Sequence, residues 1–163
     1  MSKSTNQKLK LLYILDYLER NTDEYHGVTM ADIIGYLASN GISAERKSIY
    51  DDIELLRVYG YDIMGEQTTG NFFYKLVSRE FELAELKLLV DAVQCSKCIT
   101  EKKSNELIKK LENLSSKYDA RTLQRQVYVS GRIKTMNESI YYNVDELHQA
   151  INDNVQIKFQ YRD

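Results

Sequence analysis

The segment Ser43 to Tyr50 holds five side chains that could grip nucleic acid: Ser43, Arg46, Lys47, Ser48 and Tyr50. Arg46 and Lys47 carry donors that suit the O6 and N7 edge of guanine, and the two serine hydroxyls can bond a base or a phosphate. Tyr50 can donate its hydroxyl to a phosphate or pack its ring on a sugar. These residues crowd the start of an expected helix, the end that reaches base edges in a helix-turn-helix and that favours phosphate. Ile49, Ile53 and Leu56 recur at i, i+4 and i+7, so they mark the opposite, core-facing side. Thr29, before the preceding helix, and Thr69 and Asn71, in the turn Gln67 to Asn71, complete the candidate DNA contacts.

Three helices and a hairpin must hold these residues. Lys8 to Arg20 reads as a first helix with a broad apolar face that includes Leu9, Leu12, Tyr13, Tyr17 and Leu18. Thr29 is a good N-cap for the second, with Asp32 as its capping-box partner. Ile33, Ile34 and Leu37 form that helix's buried stripe, and Asn40-Gly41 stops it, with Gly41 suited to a left-handed residue. Ser43 is expected to cap the third helix, and Gly60 to close it. The runs Asp62 to Glu66 and Phe72 to Val77 flank a Gly/Asn turn, which signals a hairpin. Three helices followed by such a hairpin make a winged helix.

The remainder differs in character. Glu80 to Tyr118 reads as a helical hairpin, with Cys95 to Thr100 between its two helices. Gln126 to Lys134 alternates weakly as a strand. Asn143 is placed to cap a helix bearing Leu147, Ala150 and Ile151, and Val155 to Tyr161 alternates as a half-buried strand. A strand with no following partner is expected to be the first of a sheet, so the chain reads as truncated. The fold class is therefore mainly α with small β. Residues 1–78 form a winged helix-turn-helix domain, residues 79–125 a helical connector or dimerisation region, and residues 126–163 the approach to a truncated sensing domain.

The totals narrow the function. A net charge of −2 weighs against a nucleic-acid binder, for which a basic footprint is usual. From Asn40 to Gly60 the bases Arg46, Lys47 and Arg57 meet the acids Glu45, Asp51, Asp52 and Glu54. Asp52 is expected to pair inside the domain near Lys47 or Ser48. Lys3, Lys8, Lys10 and Lys75 could supply further positive charge. One copy should bind DNA weakly, and a homodimer on two half-sites usefully. Cys95 and Cys98 lack the second pair that a zinc site needs, and they read as semi-buried thiols. No metal or cofactor is implied. His26 and His148 sit beside no nucleophile signature, so no catalytic residue is assigned and an enzyme is not expected. No apolar run spans a bilayer and the polar N-terminus lacks a signal region, which points to a cytoplasmic protein with no membrane partner.

Ser43 through Leu56 resembles the recognition helix of DeoR-like winged helix-turn-helix proteins. Ser48-Ile49, Asp52-Ile53 and Leu56 fit that pattern, while Asp51 stands where the family usually has Arg. The whole chain is similar to the WYL-domain transcriptional regulators of bacteria. Gln126 to Val129, Tyr142 to Ile151 and Ile157 to Tyr161 look like the approach to the WYL domain and its first strand, although the Trp-Tyr-Leu motif is absent. The resemblance implies a sequence-specific DNA-binding regulator, read as a repressor, with double-stranded DNA as partner. Its effector would act on the missing C-terminal domain. Two other readings stay open: a winged-helix protein–protein interaction adaptor, and a thiol-redox or metal-responsive sensor that uses Cys95 and Cys98.

Overall fold

A computed structural model describes residues 9–126, 134–158 and 160. The elements run α1 (Lys10–Asn21), β1 (Val28–Thr29), α2 (Met30–Ser39), α3 (Arg46–Tyr59), β2 (Ile63–Thr68), β3 (Asn71–Leu76), α4 (Leu83–Cys95), α5 (Glu101–Glu112), α6 (Lys117–Gln126) and α7 (Ser139–Asn152). Helix dominates, and the strands form one small antiparallel sheet in the order β1-β3-β2. Ile63 pairs with Leu76 and Thr68 with Asn71 across the β2–β3 hairpin, while Val28 pairs with Tyr74. None of the described helices is long and apolar enough to cross a membrane.

Two separate apolar clusters organise the chain. The first joins Ile14 and Leu18 of α1 to Ile33 and Leu37 of α2, to Ile49, Ile53 and Leu56 of α3, and to Ile63, Tyr74 and Leu76 of the hairpin. Burying each such aliphatic side chain contributes about 1.5–3 kcal/mol, so this cluster sets the angles between the three helices. The second gathers Leu86 and Val90 of α4, Ile108 of α5 and Leu123 of α6. On α1 Tyr13, Tyr17 and Leu18 of the expected apolar face pack on the first cluster. Leu9 and Leu12 are exposed, and Ile14 and Leu18 carry the burial.

Local signals set several ends. Thr29 caps α2 in a reciprocal box: its Oγ1 accepts from the Asp32 backbone amide, and the Asp32 carboxylate accepts from the Thr29 amide. Gly41, at φ +73°, ends that helix as expected, because its left-handed backbone lets Ile42 N–H reach Leu37 O. Other ends depart from expectation. Glu45, not Ser43, is the N-cap of α3, and it makes no side-chain cap bond. Helix α7 begins at Ser139, a turn ahead of Asn143. The connector has a third helix, α6, beyond the expected hairpin, and Gln126 belongs to it rather than to a strand. The rest of that expected strand, 127–133, lies outside the described residues. Residues 155–158 and 160 form no strand. Their alternation finds no edge to pair with among the described residues, and alternation without a ladder does not make a sheet.

The two clusters meet at the segment Asn21 to His26. Thr22 Oγ1 donates to Leu18 O at 2.7 Å and accepts from the Leu76 amide at 2.9 Å, which ties the end of α1 to β3. The Asp23 carboxylate does more. Its Oδ1 accepts from the amides of Tyr25 and His26 and lies 2.7 Å from His26 Nδ1. Its Oδ2 accepts from Ser116 Oγ at 2.8 Å. Ser116 is fully buried and in turn caps α6, accepting from the amides of Tyr118 and Asp119. The His26 ring stacks on Tyr118 with centroids 3.7 Å apart. From the other side Arg79 Nη2 donates to Glu19 O and Thr22 O, and Lys117 Nζ donates to Asn21 Oδ1.

Burial by itself would push the Asp23 carboxyl up. The hydrogen bonds from Ser116, His26 and the Tyr25 and His26 amides outweigh it and hold the group below its ordinary value of 3.8. A depressed carboxylate contributes stability that is complete above its unfolded value and is lost as pH falls through its folded one. Asp119 runs the other way, because burial and then the Asp23 charge raise it. We expect Asp23→Asn to cost about 1–3 kcal/mol at neutral pH. Urea unfolding should show the gap from wild type narrowing as pH drops below the ordinary carboxylate range. A gap that is equal at both pH values would contradict this role.

Candidate nucleic-acid interface

Helix α3 presents the candidate residues. Ile49, Ile53 and Leu56 are buried, at 3% exposure or less. Arg46 and Lys47 are both exposed in the first turn, at the end of the helix ahead of the core positions, and make no ion pair among the described residues. Ser43 is exposed two residues ahead of the Glu45 cap. The link from α2 to α3, through Asn40 to Glu45, is longer than the three- or four-residue turn of the simplest helix-turn-helix.

Ser48 and Asp52 point elsewhere. Lys10 of α1 is buried, and its ammonium lies 2.7 Å from Asp52 Oδ2 and also donates to Ser48 Oγ. Asp52 thus pairs inside the unit, as expected, but with α1 rather than with Lys47. Two consequences correct the sequence reading. Lys10 is consumed by the core and offers no charge to a phosphate, and the Ser48 hydroxyl is engaged inward. Lys75 is likewise paired with Glu66 across the hairpin. Lys3 and Lys8 lie outside the described residues.

Tyr50 is half exposed. It neighbours Tyr74 of β3; burial first and then the Tyr50 neighbour push the Tyr74 hydroxyl up to about 12. Tyr50 thus lies where α3 meets the hairpin. Arg57 strengthens the same junction, since its Nε donates to Ile63 O at 2.8 Å and its Nη1 to Glu54 at 3.0 Å. Thr29 spends its side chain on the α2 cap, with Oγ1 also donating to Asp32 Oδ2 at 2.7 Å. Thr69 and Asn71 are exposed at the hairpin tip. Thr69 and Gly70 both have positive φ, +34° and +90°, the pattern of the tight two-residue turn that matches strand twist. A β-branched residue is strained there.

The outward side of α3 carries a feature the sequence reading passed over. Leu55, Val58 and Tyr59 are 57%, 79% and 82% exposed, and Met64 of β2 is 53% exposed. The first three are spaced at i, i+3 and i+4, so the signal was legible: they share one face of the helix, turned from the core positions Ile49, Ile53 and Leu56. They make the C-terminal half of α3 largely apolar, with Glu54 there paired to Arg57 and Asp51 exposed one turn earlier, while its first turn is basic.

A cleft of about 510 Å³ opens where the two clusters meet, lined by Asp23, Arg79, Phe81, Leu83, Leu86 and Asp119 among others. Among the described residues no group of three or more His, Cys, Asp or Glu could hold a metal ion. No family model, curated protein or solved structure matches this chain.

Two expectations follow from this geometry. Asp52→Ala leaves the Lys10 ammonium buried without its counter-ion and should cost about 3 kcal/mol, whereas the paired change Lys10→Met with Asp52→Leu should recover most of that loss. Chemical unfolding of the three proteins tests this, and a near-neutral single variant would refute it. Thr69→Asn relieves the strain at the hairpin tip and should stabilise the protein by about 0.5–1 kcal/mol, seen as a raised unfolding midpoint.

Proposed function

We propose that this chain is a sequence-specific DNA-binding transcriptional regulator whose N-terminal unit, α1 to β3, is a winged helix. The observation that carries this reading is the exposed basic first turn of α3 in a three-helix unit that also holds a β-hairpin. Arg46 and Lys47 are exposed there because the helix begins at Arg46, ahead of the buried Ile49, Ile53 and Leu56. Arg46 is the residue for a guanine edge and Lys47 for a phosphate, with the exposed tip at Thr69 and Asn71 as the wing contact. Tyr50 acts through its ring at the helix–hairpin junction. The resemblance to DeoR-like and WYL-domain regulators supports the same reading and brings with it repression and control by an effector.

With Lys10 and Lys75 spent inside the fold, few cations remain for the phosphate backbone, so each copy binds weakly. Useful affinity then requires a homodimer on two half-sites, with the α4–α6 connector as the dimerisation region. Gel shifts with genomic fragments at two salt concentrations test this. We expect steep loss of binding with salt, and at least a roughly tenfold loss for the double variant Arg46→Ala/Lys47→Ala. Absence of binding at low salt would sink the DNA reading.

A second reading rests on a specific observation. The exposed Leu55, Val58, Tyr59 and Met64 offer nothing to a phosphate backbone and suit an apolar protein surface, and the exposed Asp51 beside them would repel phosphate. An interaction adaptor would use that half of α3, and Leu55→Ser would then abolish partner binding while leaving DNA binding intact.

A further inference from the structure

At the C-terminal end of α4, Cys95 and, just beyond it, Cys98 were expected to be semi-buried and are both exposed. At its other end α4 borders the cleft of about 510 Å³, a volume that suits a small molecule. Part of the lining is hydrocarbon. Phe81 and Leu83 are partly buried on the connector's apolar cluster, and with Val77, Ala84 and Leu86 they line the cleft. The charges that line it are unbalanced, since Asp23, Glu24, Glu82 and Asp119 stand against one base, Arg79. Asp23 is already filled by Ser116, the His26 ring and two amides. Glu24 and Glu82 are exposed, so water serves them. Asp119, in the first turn of α6, differs from these. It is partly buried, and among the described residues its carboxylate accepts no hydrogen bond and forms no ion pair. Arg79 spends Nη2 on Glu19 O and Thr22 O instead. Burial and then the Asp23 charge raise the Asp119 carboxyl, and the more distant cations Arg79, His26 and Lys87 do not offset them. A partly buried carboxylate without a partner, beside hydrocarbon, is completed by a cation that carries its own apolar body.

We propose that this cleft binds a small apolar amine, with the ammonium on Asp119 and the hydrocarbon against Phe81, Leu83 and Leu86. The ammonium has donors and no acceptor, which matches a carboxylate with unfilled lone pairs, and the pair is strengthened by its charges. The apolar body adds affinity through the area it removes from water. An anion is disfavoured, because carboxylates outnumber the one arginine and that arginine is drawn to backbone carbonyls. The lining comes from the loop after α1, from the segment after β3 and from α4 and α6. An occupant therefore binds the folded arrangement of these elements and stabilises it by mass action. The site is independent of the DNA reading, since neither Arg46 nor Lys47 lines it.

Calorimetric titration of the full chain with phenethylamine provides the test, beside the neutral phenethyl alcohol and the anionic hydrocinnamate. The amine should bind at least roughly tenfold more tightly than either, and should raise the unfolding temperature as its concentration rises. Asp119→Asn, with an unchanged circular dichroism spectrum, should weaken amine binding roughly tenfold and bring it level with the alcohol. Ala84→Trp, at an exposed position that lines the cleft, should block the amine by filling its space. If the three probes bind alike, if the amine does not bind, or if both variants bind it as wild type does, the proposal is overturned.

Discussion

The carboxylate of Asp23 is the point on which the rest of the structure depends. It lies in the loop that leaves α1, and it is buried. A buried carboxylate is tolerated only when its lone pairs are filled, and four donors fill these: two amides of its own loop, the His26 ring and Ser116. The first three shape the loop that delivers the chain to β1. The fourth brings in Ser116, which caps α6 and so belongs to the other apolar cluster. One side chain thus completes the first cluster's connection and fastens the second cluster to it. The stacked His26 and Tyr118 rings shield the same junction.

A second buried polar group governs α3. The Lys10–Asp52 pair and Ser48 lie between α1 and α3, where apolar contacts alone would leave the helices free to slide. A directional ion pair sets their register. It also decides the chemistry of the outer surface: with Lys10 and Asp52 turned inward, the exposed side of α3 keeps a basic start and a largely apolar end.

Much of the N-terminal unit was legible in the residues because its signals are local. The Thr29–Asp32 capping box, the stop at Asn40-Gly41, the stripe Ile49-Ile53-Leu56 and the hairpin around Gly70 each involve residues a few positions apart. Where the reading failed, the deciding contact was distant in sequence. Asp52 found Lys10, 42 positions away, rather than Lys47. The alternation of Val155 to Tyr161 was sound as a pattern, but a strand needs a neighbour that periodicity does not supply.

The sequence by itself determined which helices form in the N-terminal unit, which of their faces are apolar, and that Arg46 and Lys47 stand near the start of α3. Those properties follow from spacing along one chain. The tertiary structure decided which charges remain available. Lys10, Lys75 and Asp52 are spent on partners from other elements, the Ser48 hydroxyl is drawn inward, and Tyr50 is set beside Tyr74. The reason is physical: a charge or hydroxyl is available to a ligand only if no internal partner has taken it, and those partners are brought near only by packing.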